Sequence, residues 1–397
     1  MKRKDWAKVL VLVLTIAFVI PCLSSCASAT KVMTLKADNG KTYTVNKEQF
    51  EFLMCYTKSN FFINNSLPSS YDIPSVWEQK TESEQTYDDF YKQAVINQLK
   101  GRVVEEYLFD KYGLKLNDEE TATQKKNIQT QVTNLGGTGS YKQYWGYRWQ
   151  MLYDYTLCNL RTDAIVDYLY GENGTDKVTD EELEKYYQDN YTGYYIIMLD
   201  MTHKVVVDEE GNKVRTTSKD SDGHEVENDE YKLEELTDEE KEEKALLPQI
   251  LIYKLEDDAD FQELAVEYSD NYLSVKYPNG LFVLKDSSLV NDAAVTSALK
   301  DLEVGSYTSP ISISDGKYTY IIKRIPLRDK VYEDEDYSDL FSSYKDTVKF
   351  DKYDKLVENY VNLIEVNDSA IANSSMAKTF LTEYVDYYYQ YLRQSSR

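Results

Sequence analysis

Between Thr86 and Tyr112 apolar residues recur every three or four positions, at Phe90, Ala94, Val95, Leu99, Val103, Tyr107 and Leu108. That spacing predicts one buried helix face, and Gly113 closes the run. A second stripe through Trp145, Trp149, Leu152, Leu160 and Ile165 predicts a helix over residues 142–170, after a break at Gly136-Gly137-Thr138-Gly139. Helix starts are marked where a capping side chain stands three positions ahead of an acid or amide: Asn46 with Gln49, Asn117 with Glu120, Thr179 with Glu182, Thr237 with Glu240. Pro248 falls inside the last of these and is expected to kink it. Val32 to Val45 alternates about Asp38-Asn39-Gly40, a hairpin signal. Residues 60–81 keep no period, contain Pro68 and Pro74, and read as loop. Strands are predicted at Tyr194–Leu199 and Tyr318–Ile325. Beyond Pro326 two helical stripes return, one through Leu340, Tyr344, Val348, Leu356, Tyr360 and Leu363, the other through Met376, Phe380, Tyr384, Tyr388 and Leu392.

The first residues carry a processing signal rather than a fold. Lys2, Arg3, Lys4 and Lys8 precede an apolar Val9–Ile20 segment too short to span a bilayer. Leu23-Ser24-Ser25-Cys26 then reads as a bacterial lipobox, with Cys26 as the lipidated first residue of the mature chain. The rival reading is plain secretion with cleavage after Ala27-Ser28-Ala29; Leu and small residues directly before a Cys favour the lipobox. A thioether diacylglycerol plus an N-acyl chain anchors stably where one chain does not. The expected location is the extracytoplasmic face of the cell membrane. Cleavage removes more basic than acidic residues, so an already acidic chain, −24 overall, becomes more so.

That charge excludes a nucleic-acid partner, since no basic stripe offsets it. No Gly-rich loop followed by Lys is present, so no nucleotide is expected. His203 and His224 lie apart from any Cys or His at ligand spacing, and no metal or other cofactor is expected. Cys55 and Cys158 sit in apolar helical patterns, either paired or as two buried thiols. The 37 tyrosines suit half-buried helix faces and an amphipathic contact surface for polypeptide.

Four segments share one order. Asp260-Phe261-Gln262-Glu263-Leu264-Ala265-Val266-Glu267-Tyr268-Ser269-Asp270 is followed by Asn279-Gly280-Leu281-Phe282, by Ala298-Leu299-Lys300-Asp301-Leu302-Glu303-Val304-Gly305, and by Tyr318–Ile325. This succession resembles the parvulin family of peptidyl-prolyl isomerases. The resemblance implies a small antiparallel sheet flanked by helices, gripping a proline in an apolar slot beside two hydrogen-bonded histidines and a Cys or Asp. Here Tyr195 and Tyr320 stand at the histidine positions. The acid or thiol position falls within Asp270 to Tyr277, with Asp270 assigned to the turn. The proline-floor Phe aligns with Ala294 or Val295, and Asn279-Gly280 replaces the double glycine. Two phenols on neighbouring strands are expected to hydrogen-bond each other, keeping the fold while removing the usual catalytic network. Phe282, Tyr195 and Tyr320 are the expected substrate contacts, and Leu284 is expected in the core.

The layout as a whole resembles extracytoplasmic foldases of the PrsA and SurA type. It implies an α+β protein: signal peptide 1–25, helical chaperone-like domain 26–192, parvulin-like domain 193–327, and helices 328–397 packing back on the N-terminal domain. An acidic insertion at 205–236, with turn signals at Glu210-Gly211-Asn212 and Asp222-Gly223, is expected as a solvated hairpin or a partly disordered flap. The expected partners are unfolded or newly exported polypeptides, bound without ATP. Two rivals stand: an active isomerase in which tyrosines substitute, and a surface lipoprotein with a structural or ligand-binding role.

Overall fold

The computed structural model describes residues 30–38, 40–81 and 83–395. These form an α+β protein of two compact units, one drawn from residues up to 178 and from 346 onward, the other from residues 179–345. The signal peptide, Cys26 and the Asn39 turn position lie outside the described residues.

In the first unit, strands Lys31–Lys36 and Thr42–Asn46 pair antiparallel, and strand Ile364–Val366 adds to the free side of the first, with Leu35 opposite Ile364. Three residues are too few to show a period, so this third strand was invisible in the sequence. Asn46 and Gln49 close both halves of a capping box on helix Lys47–Asn64, which runs into the stretch expected to be loop. Helices Tyr87–Lys111 and Trp149–Tyr170 bury the predicted stripes, with Val95, Leu99, Val103 and Ile165 at 2 % exposure or less. Each such side chain contributes about 1.5–3 kcal/mol.

The helix expected over residues 142–170 is two helices, Thr138–Trp145 and Trp149–Tyr170. Gly146 turns left-handed between them (φ +81°), and the Phe380 ring fills the space where its Cβ would stand, 2.3 Å away. Between the two long helices the Glu105 carboxylate is buried against the Arg161 guanidinium, and the Cys158 thiol donates to it at 2.9 Å. Cys55 and Cys158 are therefore two free thiols. Burial pushes the Cys55 thiol up to about 12, far from the reactive range.

The second unit contains the sheet. After helix Asp180–Asn190 comes β1 (Tyr191–Asp200), then α1 (Asp238–Glu256), α2 (Phe261–Tyr268), α3 (Leu273–Lys276), β2 (Leu281–Leu284), α4 (Ala293–Lys300), β3 (Ile311–Ile313) and β4 (Tyr318–Ile325). The four strands lie in the order β2-β1-β4-β3, all antiparallel. Between β1 and α1 the acidic insertion forms two nested strand pairs, His203–Val205 with Leu233–Glu235 and Arg215–Lys219 with Glu225–Tyr231. It is fastened to the body: Lys213 Nζ donates to the Val266 and Ser269 carbonyls, Arg215 lies 4.3 Å over the Tyr272 ring, and Lys276 bridges to Asp229. The unit extends past the expected 193–327 on both sides. Tyr332 and Tyr344 stack at 4.7 Å, and Tyr332 meets Tyr187 of the preceding helix at 5.6 Å, so both flanks close on one aromatic cluster.

Thr237 and Glu240 complete the capping box that starts α1. The Lys204 ammonium, and then the Thr237 backbone and hydroxyl, hold the Glu240 carboxyl down to about 2 against a usual 4.5. A depressed acid stabilises above its unfolded value, and that support is lost as pH falls from 4.5 through about 2. Carboxyl-carbon NMR should show Glu240 titrating near the lower figure, and Lys204→Met should move its midpoint upward. A wild-type midpoint in the ordinary range contradicts the ion pair.

Candidate functional site

Side chains alternate along β1, so Tyr194, Ile196, Met198 and Asp200 share one face while Tyr195, Ile197 and Leu199 share the other. Residues directly opposed in an antiparallel pair lie on the same face. Tyr320 opposes Met198, and Tyr195 opposes Lys323. The two tyrosines therefore stand on opposite faces of the sheet, and the phenol pair expected from the sequence does not form.

Tyr195 belongs to the face covered by α1 and α2. Its ring stacks on Phe261 at 6.3 Å, beside Ile197, Leu199, Leu251, Leu255 and Ile321. Burial raises its phenol, helped by the nearby Asp260 carboxylate. On this side a cleft of about 330 Å³ opens between Asp258, Asp260, Phe261, Tyr307 and Lys323. Its charged rim suits a polar group better than an apolar chain.

Tyr320 belongs to the other face, which is covered more thinly. Ile196 and Ile322 form its floor, Met198 and Tyr320 are half-buried on it, and α4 lays the fully buried Val295 and the half-buried Leu299 against it. Val283, Leu289, Val290, Leu299, Ile311 and Ile313 rim it, each half-buried. Ala294, the other candidate floor position, is exposed. Burial, then the Tyr318 phenol, raises the Tyr320 hydroxyl, and no described residue hydrogen-bonds to it.

Phe282 is also placed differently from expectation. It is 1 % exposed, opposite Gly193 in the register, with its ring 5.7 Å from Tyr337 and 6.5 Å from Tyr187. A Cβ on Gly193 would meet the Phe282 ring at 2.8 Å. Phe282 is therefore a core side chain seated over a glycine, closed to any substrate, whereas Leu284 is half-buried.

The turn Tyr268-Ser269-Asp270 serves the sheet edge. β2 pairs with β1 only as far as Tyr194, leaving the rest of that edge without a strand. There Asp270 N donates to the Met198 carbonyl at 2.7 Å, Ser269 Oγ accepts from Met198 N at 3.1 Å, and Asp270 Oδ2 accepts from Asp200 N at 2.8 Å. Ser274 Oγ donates to the Ile196 carbonyl at 2.8 Å. Burial raises the Asp270 carboxyl, opposed by its 2.7 Å pair with Lys244. Ser269, Asp270 and Ser274 are thus spent on backbone groups that would otherwise be orphaned.

What the Tyr320 face offers chemically is apolar contact and one phenol donor, with no imidazole, thiol or carboxylate beside it on β1 before Asp200. An apolar group meeting this face contacts Met198, Tyr320 and the half-buried rim, since Ile196 and Ile322 are buried. A planar amide is more polar than its twisted form, so an apolar surrounding disfavours the ground state and eases rotation over the ~18–20 kcal/mol barrier.

No protein-family model matches the chain, and no curated protein matches it in sequence. Among solved structures it is similar to PrsA from Bacillus subtilis, with 19% identity over 74% of this chain and 91% of that one, at a TM-score of 0.22. Foldase protein PrsA from Streptococcus pneumoniae shares 16% identity over 90% and 97% of the two chains, at a TM-score of 0.24. Peptidylprolyl isomerase PrsA from Bacillus anthracis shares 15% identity over 68% and 100%, at 0.26.

Proposed function

We propose that this chain is a lipid-anchored extracytoplasmic foldase or holdase that binds unfolded, newly exported polypeptide on the Tyr320 face of its sheet. The observation that carries the reading is the pair of half-buried side chains Met198 and Tyr320, standing beside the buried Ile196 and Ile322 on a face whose rim side chains are themselves only half-buried. Half-buried apolar side chains gathered on one sheet face suit an apolar ligand. The parvulin-like order of segments supports a prolyl preference, and the acidic body suits clients carrying Lys and Arg. Anchoring rests on the Leu23-Ser24-Ser25-Cys26 signal.

A Met198→Glu chain should suppress aggregation of a reduced, unfolded client about tenfold less well, because one charge is placed in the apolar floor. Equal suppression by wild type and variant sinks the site. Cys26→Ser should move the chain from the membrane fraction to the medium; retention on the membrane contradicts the anchor.

A second reading, an active prolyl isomerase, is favoured by the unengaged Tyr320 hydroxyl. Catalysis of prolyl-peptide rotation above background, lost in Tyr320→Phe and kept in Tyr195→Phe, would establish it. Activity insensitive to Tyr320 removes the phenol from the mechanism.

A further inference from the structure

The outer face of α1 presents an arrangement that the sheet does not explain. Leu251 and Leu255 bury the inner face, at 0 % and 8 % exposure. On the opposite side Leu246, Ile250 and Tyr253 stand in line at 64 %, 45 % and 62 % exposure. Positions four and three apart fall on one helical stripe, so these three form a continuous apolar ridge. Following the same stripe outward leads to Glu239, Glu242 and Glu243 at one end and Asp257 at the other, with Glu256 at the flank.

None of these five carboxylates makes an ion pair with a described residue. The cations of α1 are turned elsewhere and engaged. Lys241 pairs with Asp238, Lys244 with Asp270, and Lys254 donates to the Tyr268 hydroxyl at 3.0 Å. The ridge is thus apolar in the middle and uncompensated negative at both ends, over about 27 Å from Glu239 to Asp257.

We propose that this ridge docks a cationic amphipathic polypeptide segment, one with apolar residues in its middle and Lys or Arg at each end. A second copy of this chain fits poorly. An antiparallel pairing of α1 with itself sets Glu242 and Glu243 against Asp257, and a parallel one sets each acid against itself. An anionic lipid surface is repelled by the same ends. The ridge lies across the sheet from Met198 and Tyr320, and the proposal does not rest on the function given above.

The test uses the whole chain and a fluorescent synthetic peptide of about 18 residues, leucine-rich in the centre with lysines at both ends, titrated by anisotropy at low and high salt. Wild type should bind, more weakly as salt rises. The exposed double variant Leu246→Ser/Ile250→Ser should bind about tenfold more weakly with an unchanged melting temperature. Glu242→Gln/Glu243→Gln should bind more weakly at low salt and lose much of the salt dependence. Met198→Glu should bind as wild type does, which separates this ridge from the sheet face. The proposal is overturned if the ridge variant binds equally well, if the peptide with glutamates for lysines binds as tightly, or if the ridge instead drives self-association.

Discussion

Lys58→Ala is expected to cost the helical unit about 3–5 kcal/mol in urea denaturation, the range for removing one partner of a buried ion pair. The Lys58 side chain is 0 % exposed, and its ammonium has three donors for three acceptors. It reaches the Met376 carbonyl at 2.8 Å, the Thr379 carbonyl at 2.7 Å and the Asp72 carboxylate at 2.7 Å. It also lies 5.5 Å from the centre of the Trp77 ring, whose Nε1 donates to the same Asp72 at 2.9 Å. One side chain therefore joins helix Lys47–Asn64, the loop after it and the segment near residue 376. Truncation leaves two carbonyls and a carboxylate that is itself 21 % exposed without their cation. Domains hold a margin of about 5–15 kcal/mol, so a loss of this size should be obvious in the Trp77 emission. Lys58→Met, which keeps the stem, should recover only the packing share. Adding Asp72→Ala to Lys58→Ala should cost less than the two separate losses combined, because the stranded charge is gone. A Lys58→Ala loss below about 1 kcal/mol would mean that water reaches the site.

Lys58 illustrates what the sequence conceals. Within helix Lys47–Asn64 it looks like any solvated lysine, because its acceptors come from loops with no period of their own. Glu105 and Arg161 are similar: each sits beside an apolar stripe, and only the packing of two long helices turns them inward. Local signals were legible where the physics is local. The capping boxes at Asn46, Thr179 and Thr237 all form, and Asn117 also caps its helix.

The resemblance implies a small antiparallel sheet, which is present, but neither its strand order nor its parity is legible in the sequence. Tyr194-Tyr195-Ile196-Ile197-Met198-Leu199 is apolar at every position because helices pack on both faces of β1. A strand without alternation gives no sign of which residues face which way, and a slip of one residue exchanges the faces. The resemblance pairs Tyr195 with Tyr320, and nothing in such a strand contradicts it, whereas the register sets Met198 opposite Tyr320. Met198 and Ile196, the residues that share the open face with Tyr320, carried no chemical signal of their own. The unit's flanks are hard to read because Tyr332, Phe341 and Tyr344 come from three separate helical pieces, so no single stripe marks the cluster they form.

The same ambiguity makes Phe282 the most discriminating substitution in the sheet unit. As a groove residue it would lose client affinity on truncation and keep its fold. As a core residue it should lose about 3–5 kcal/mol of stability. The structure favours the second outcome, since its ring is closed in by Tyr187, Tyr337 and the bare backbone of Gly193. Tyr337 in turn donates to the Gly280 carbonyl at 3.0 Å. Gly280 holds φ +104°, and a Cβ there would stand 2.2 Å from Ile325 Cδ1. Phe282→Ala should therefore lower the urea midpoint of the sheet unit and weaken its near-ultraviolet dichroism, since the surrounding tyrosines lose their fixed packing. Gly193→Ala should do the same from the opposite side of the contact, by pushing the ring out instead of leaving a void. Below its lowered melting point, Phe282→Ala should still protect an unfolded client as wild type does. Full stability together with lost protection would return Phe282 to the binding surface and shift the groove from the α4 face to the β2 edge.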